Sequence, residues 1–511
     1  MALPRFITSL FSPRPPRPDA FVTMCVAFRQ RLAAWPVKHR PTPDAQRVGV
    51  LVTPWLSTAA PLFSLECGLM LLRAGCAVTA LSDFSDVIGN AEKLTHNEAL
   101  AGVLAALPAG FALLQITSGG EETCTPEDRA LATRLLHENA IWKMRGEQRA
   151  GDFSAEQPHA EAALARHIAV VRRTLRSSGL SWVLVPGGIY GLSGIYLAIL
   201  KELGIGFTTY DSGKGLLRFS HDCVTTHLED MPLVCRLVAE RERNSPAARE
   251  RLIARATSEL ATRANAKDDL GYQLAAASGE AVRHYDILVP LNIRWDAAAL
   301  SRQKLFASVD AWLIAVLEWV AGHPTASICI RQHPIERREN LKSTDNYAPI
   351  IERFRHLGDR FRFVAAEEEI STYDILHHAR VVLPHTSTVG IEAAMLGKPV
   401  LLSTHCYYES LGFVWVPDSS EEYFRLIAAA LAGSLTLNEQ QRSDAAIAFY
   451  LTQRCALLRT GFTPDPEDFL QWVQHTPEEL WAQDENADVS TALISRQPLP
   501  FVRYQRLAHA D

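Results

Sequence analysis

Cysteine is sparse and unpatterned in this chain. Nine residues in 511, an odd number, are scattered at Cys25, Cys67, Cys76, Cys124, Cys223, Cys235, Cys329, Cys406 and Cys455. No two form a CxxC pair, so neither a disulfide framework nor a thiolate metal site is indicated. Long apolar runs are missing too. The most apolar window, Leu62–Leu81, is broken by Glu66 and Arg73, and a spanning helix needs about 20 apolar residues in a row. The start offers only Phe6–Phe11 before a Pro/Arg segment, too short for the apolar region of a secretory leader. A soluble cytoplasmic chain is expected. Excess charge of either sign is small: 51 Lys+Arg against 57 Asp+Glu leaves −6. That argues against a nucleic-acid polymer as main partner, because such binding runs on Lys/Arg–phosphate contacts. Arg5, Arg14 and Arg17 form a basic arm with no acid up to residue 18. A disordered tail is the first reading of it. Peripheral contact with an anionic membrane surface, at the inner face of the cytoplasmic membrane, is the alternative.

At roughly 100–200 residues per domain, the length predicts two or three domains. Residues 1–45 are Pro-rich and read as an irregular or helical arm. From Arg47 the pattern is α/β: RVGVLVTPW is a strand, SLECGLMLLRAG a helix stopped by Gly75, and CAVTALSDF a second strand. SWVLVPGG, GIYLAILKELG and IGFTTYDSG repeat that order. The expected fold class is α/β, with two Rossmann-like doubly wound lobes and a helical C-terminal tail. The predicted divisions are an N-terminal lobe over 46–231, a charged helical connector over 232–282, a C-terminal lobe over 283–430 and a tail over 431–511. Within that tail, helix is expected to about residue 460 and irregular chain beyond it.

Several segments could carry chemistry. RVVLPHTSTVGIEAAMLGKPVLLS (380–403) reads as strand, helix, strand, which puts Ser387 and Thr388 at a helix N-terminus. Unpaired N–H groups there suit a phosphate, although an ordinary Ser/Thr cap is as good a reading. Gly390 and the small Ala393–Ala394 pair permit close approach, and Glu392, one turn in, is placed to reach a ribose. In ICIRQHPIE, His333 and Pro334 end a strand, where open α/β sheets bind ligands. Arg331 adds positive charge, and packing of His333 on the next loop is the competing reading. PGGIYGLSG carries Gly187, Gly188 and Gly191, and TTYDSGKG carries Asp211, Ser212 and Gly213. Asp211, the lone carboxylate beside those glycines, is the candidate general base or else an Asx-turn residue. SGKG is no P-loop, since Lys214 precedes Gly215 rather than Ser or Thr. In VPLNIRWD, Asn292, Arg294 and Asp296 either line a cleft or form a turn. The histidines His377, His378, His385 and His405 lack metal-cage spacing. No GxSxG elbow or HExxH occurs.

Taken together, STVGIEAAMLGKPV (387–400), IRQHP (330–334) and PGGIYGLSG…YDSG (186–213) resemble a bacterial GT-B glycosyltransferase of the capsular polysaccharide biosynthesis class, related to Kdo transferases and bacterial sialyltransferases. The resemblance implies transfer of a sugar from a nucleotide-activated donor, with CMP-Kdo or CMP-sialic acid types favoured, to a hydroxyl of a surface polysaccharide or lipid-linked glycan. It makes Asp211 the base that deprotonates the acceptor and His333 the support for the departing phosphate. Ser387 and Thr388 become phosphate binders, and Glu392 a ribose contact. Arg331, Pro334, Gly390, Asn292 and Arg294 fall on the donor side; Gly187, Gly188, Gly191, Ser212 and Gly213 fall on the acceptor side or its loops. No cofactor or metal is implied, the nucleotide sugar being a co-substrate. The acidic signature differs from the family form in having Tyr210 before Asp211. A UDP-GlcNAc 2-epimerase-like enzyme and a non-catalytic GT-B relic that binds nucleotide or glycan are the alternatives.

Overall fold

The computed structural model describes residues 19–34, 41, 42, 44–88, 94–117, 123–148, 150, 158–271, 274 and 283–509. The basic arm with Arg5, Arg14 and Arg17 lies outside them. The strands are β1 (Arg47–Val52), β2 (Ala77–Asp83), β3 (Phe111–Ile116), β4 (Trp182–Pro186), β5 (Gly206–Gly213), β6 (Leu216–His221), β7 (Ile287–Pro290), β8 (Ile328–Arg331), β9 (Phe361–Val364), β10 (Val381–Val382) and β11 (Leu458–Arg459). They build two sheets, ordered β11-β6-β5-β4-β1-β2-β3 and β10-β7-β8-β9. All pairs are parallel except β5–β6 and β6–β11. Two doubly wound α/β lobes follow, as the repeated strand–helix–strand pattern predicts.

β3 and β6 stand outside that pattern. β3 is a half-exposed edge strand, so its apolar run is short and mixed. β6 returns antiparallel from β5 through Lys214 and Gly215, whose φ values are 54° and 73°. Positive φ at both central residues is what a tight hairpin of the primed type needs. The Gly-Lys-Gly that fails as a P-loop is therefore this turn.

The helix Ala60–Arg73 is buried along most of its length against the first sheet. Its one acidic residue, Glu66, is fully buried and held by both terminal nitrogens of Arg31. Arg31 belongs to the helix Ala20–Ala34, which also buries Phe21, Met24 and Phe28 in the first lobe's core. This part of the arm is thus a packed element, because burial of its apolar residues rewards its ordering.

The C-terminal region, predicted as a helical tail, is shared between the lobes. Phe449, Tyr450, Phe501 and Tyr504 pack in the second lobe, while Leu458, Phe462, Phe469 and Trp472 complete the core of the first. The stretch after residue 460, expected to be irregular, forms helices at Pro466–Trp472, Pro477–Trp481, Asp484–Ser495 and Leu499–His509. The connector is helical at Met231–Arg241 and Pro246–Ala264, yet Val234, Val238 and Leu252 are buried with Leu288 and Ile391 of the second lobe. No helix among the described residues is long and apolar enough to cross a membrane.

The chain after β7 bridges the lobes. Tyr190 donates to the Trp295 carbonyl at 2.7 Å, His227 Nε2 to the Ala297 carbonyl at 2.9 Å, and Ser301 to Glu138 at 2.7 Å. On the same side, the Asp345 carboxylate accepts from the Glu147 and Gln148 amides at 3.1 and 2.9 Å. These bonds fix how the strand ends of one sheet face those of the other.

Candidate active site between the lobes

Loops at the carboxyl ends of β5, β7, β8 and β10 converge on one cavity of about 320 Å³. From the first lobe come Asp211, Ser212 and Gly213; from the second come Asn292, Arg331, His333, Pro334, Ser387 and Thr388. Ligands of open α/β sheets bind at such strand ends. Residues more than 170 positions apart in sequence are thereby brought to one cavity.

Asp211 stands at the end of β5 opposite Arg218 on β6. Its carboxylate is open to the cleft but hemmed in by protein, and this burial raises its pKa to about 6. Arg218 opposes the rise, while Asp296 and Asp465 add to it. A carboxylate near pH 6 is ionised at neutrality and still basic enough to take a proton.

His333 starts a short 3₁₀ turn, and its Nδ1 accepts from the Ile335 amide at 3.2 Å. Burial, then Arg263 and Arg331, depress its pKa to about 4. The ring is therefore neutral at pH 7, with its proton on Nε2 because Nδ1 is an acceptor. It presents an N–H donor rather than a full charge. Arg331 is buried, its pKa lowered to about 10 by burial, and its terminal nitrogens donate to the Ala365 and Glu368 carbonyls. Its Nε is one of several buried polar atoms of this cavity's residues without a partner among the described residues; others are Arg218 Nε, Thr226 Oγ1 and Thr386 Oγ1. Buried orphans of this kind are uncommon and mark places where a ligand or water completes the bonding.

The sequence reading misses three arginines of this cavity: Arg218, Arg263 and Arg302. Nothing local marks them, since each lies in a charged or strand-like run whose neighbours only the fold supplies. Arg263 is tied to Glu392 at 2.8 Å and to Asp268 at 2.8 Å, and Arg302 to Glu229. Arg218 forms no ion pair among the described residues.

Other expected site residues lie elsewhere. Glu392 is fully buried and does not line the cavity; it accepts from Arg263 and from the Tyr373 hydroxyl at 2.9 Å. It is thus the support of two cleft-lining side chains and has no free oxygen for a ribose. Gly390 is also behind the wall, where a Cβ would collide with the Tyr408 hydroxyl. Arg294 is buried with Asp310, Asp345 and Tyr347, its guanidinium 4.6 Å from the Tyr347 ring centre. That cluster pairs its charge away from the cavity, which Arg294 does not line, although its Nη1 has no partner among the described residues. Asn292 spends Oδ1 on the Thr386 amide at 3.1 Å, shaping the loop before Ser387. Gly187 and Gly191 line a second cavity, of about 450 Å³, in the first lobe, and Gly188 a third. The first two cavities share Asp211, Ser212, Thr226 and Asp296.

Residues 252–428 match the family model described as capsule polysaccharide biosynthesis protein. The resemblance carried by the His-Pro and Ser-Thr motifs holds over that segment. It contains His333, Ser387 and Thr388 but not Asp211. No curated protein matches the chain. Among solved structures, a Thermosulfurimonas dismutans KpsC beta Kdo 2,4 transferase is 16% identical, with 53% of this chain and 88% of that one covered at a TM-score of 0.34. The beta Kdo 2,7 transferase from the same organism is 14% identical, covering 60% and 88% at a TM-score of 0.33. A Methanocaldococcus jannaschii UDP-GlcNAc 2-epimerase in complex with UDP-GlcNAc and UDP is 11% identical, covering 80% and 99% at a TM-score of 0.24.

Proposed function

We propose that this protein is a glycosyltransferase of capsule or surface polysaccharide synthesis, using a nucleotide-activated donor bound in the cleft between the lobes. The observation that carries this reading is that Asp211 borders the same cavity as His333, Ser387 and Thr388. In this reading Asp211 takes the proton from the acceptor hydroxyl as its oxygen bonds to the anomeric carbon. The bond from that carbon to the donor phosphate breaks, and the phosphate carries off the electron pair. His333 Nε2–H and the hydroxyls of Ser387 and Thr388 donate to it, with Arg331 and Arg218 adding positive potential. Fixed donors aimed at developing charge in a water-poor cleft are the largest source of stabilisation for such a step. Of the four cleft arginines, Arg218 and Arg331 form no ion pair among the described residues, which suits a donor with negative charge beyond its phosphate, as in CMP-Kdo or CMP-sialic acid. The match of residues 252–428 to capsule synthesis supports the pathway class.

The test is turnover of a panel of CMP-, UDP- and GDP-sugars, with and without glycan acceptors, by the purified protein and its variants. One CMP-sugar is expected to be hydrolysed slowly and transferred faster. Asp211→Asn and His333→Ala should each lower transfer by about 10²–10⁴-fold, the range for a positioned acid or base. Conversion of UDP-GlcNAc without acceptor would instead make it an epimerase. Nucleotide binding with no turnover of any donor would make it a binding relic.

A further inference from the structure

The first-lobe cavity differs in character from the cleft it joins. An aromatic row forms one wall: Trp55 lies 5.4 Å from Trp142, and Trp142 lies 5.5 Å from Tyr190, ring centre to ring centre, each pair tilted by 36° or less. Trp55 can sit there because position 191 is glycine; a Cβ at Gly191 would come within 2.6 Å of the indole. Trp295, from the second lobe, closes the row, its carbonyl held by the Tyr190 hydroxyl at 2.7 Å. Of the described residues lining this cavity, the charged ones are Asp86, Asp211, Asp296 and Asp465, with no Lys, Arg or His. Lys143, one residue beyond Trp142, donates to the Ile88 carbonyl at 2.7 Å and is not on the wall. The adjoining cleft shares Asp211 and Asp296 and adds Arg218, Arg263, Arg302 and Arg331, of which Arg263 and Arg302 are ion-paired.

We infer that this cavity holds the acceptor as a sugar ring without negative charge, neutral or amino-bearing, stacked on the Trp55–Trp142–Tyr190 row. The inference rests on the glycosyltransferase reading and specifies its second substrate. A pyranose has an apolar C–H face that fits an aromatic plane, and hydroxyls that donate to carboxylates. An ammonium substituent would gain from both the rings and the aspartates. A carboxylate or phosphate on that ring would face several aspartates with no cation on the cavity lining, since Lys143 near Asp86 and Arg218 near Asp211 and Asp296 lie off it, in a partly dehydrated space. The volume, about 450 Å³, falls within the roughly 300–1,000 Å³ of small-molecule sites. Asp211 belongs to both cavities, so a hydroxyl of a ring seated here is delivered to the base. The division of sign also sorts the substrates: the anionic donor is drawn to the arginines, and a second anionic sugar is turned away from the aspartates. Growth of a chain by successive acidic sugars is thereby disfavoured.

Binding of matched methyl glycosides to the full chain tests this, read by calorimetry and by tryptophan fluorescence, with CMP and UDP titrated separately. The neutral hexoside and its amino counterpart are expected to bind at least tenfold more tightly than the corresponding hexuronide, and to change the fluorescence. Asp86→Asn should narrow that gap. Trp142→Ala should weaken glycoside binding at least tenfold and leave nucleotide affinity unchanged. Trp142→Phe, which keeps a ring, should retain most of the binding and serves as the variant if the alanine form does not fold. Equal or tighter binding of the hexuronide, or unaltered glycoside affinity in Trp142→Ala, would overturn the inference. Glycoside binding by a protein that binds no nucleotide would leave the charge selectivity standing and remove the glycosyltransferase reading. Nucleotide binding without glycoside binding does the reverse.

Discussion

At the scale of single residues, the site works through environment more than through residue type. Asp211 and His333 are ordinary titratable groups pushed in opposite directions by burial, towards about 6 and about 4. Both shifts favour the neutral form, as desolvation must. In its proposed role as base the sign is direct: Asp211 would act only when ionised, so activity should fall tenfold for each pH unit below about 6 and level off above it. His333 is already neutral throughout that window and adds no second limb there. A rate profile of kcat/KM between pH 4.5 and 8 checks this. A profile flat across pH 6, or one that falls on going from pH 5 to 7, would remove Asp211 as the base. Much of this level was legible beforehand, because Asp211, His333, Ser387 and Thr388 sit at strand ends in short recognisable motifs. Arg218 was not, since its importance comes from facing Asp211 across a hairpin.

At the scale of elements, the segment 387–400 is built in two layers. Ser387 and Thr388 face the cleft, and the short helix behind them, Val389–Met395, is buried by Gly390, Ile391 and Ala393. Gly390 presses on Tyr408, whose hydroxyl donates to the Ser387 carbonyl at 2.8 Å. Gly390→Ala should therefore cost about 1–3 kcal/mol by overpacking and loosen Ser387 at the same time. Combining it with Tyr408→Phe should restore part of the stability by removing the clashing oxygen. Urea denaturation of the three variants decides the matter; a cost below about 0.5 kcal/mol for Gly390→Ala, the level of an uneventful surface change, would mean the contact yields freely. The sequence pattern places Glu392 correctly on this helix but cannot say which way it faces. The tertiary structure turns it away from the cavity, to Arg263 and Tyr373.

At the scale of the whole molecule, the C-terminal chain holds the first lobe together from outside it. Trp472 is buried among Phe28, Phe462 and Phe469, and its indole N–H donates to the Thr463 carbonyl at 3.0 Å. It thus ties the helix Ala20–Ala34 to residues more than 430 positions later. Trp472→Ala should destabilise the protein by about 3–5 kcal/mol, the usual cost of emptying a buried tryptophan site. Thermal unfolding followed by circular dichroism measures it. A cost under 1 kcal/mol would show that the C-terminal helices are dispensable to that core.

What the sequence determines alone is the kind of molecule and the strand ends on which chemistry sits. Apolar strands, helix stops and short polar motifs are local signals, read from neighbours within a few residues. The pairing of distant parts is decided only by tertiary structure. Packing brings Asp211 to His333, places Trp295 beside Tyr190, adds β11 to the first sheet, and sends Arg294 and Glu392 into buried ion pairs. The reason is physical: the destination of a charged side chain depends on which partner is available when it loses water. That partner lies tens to hundreds of residues away.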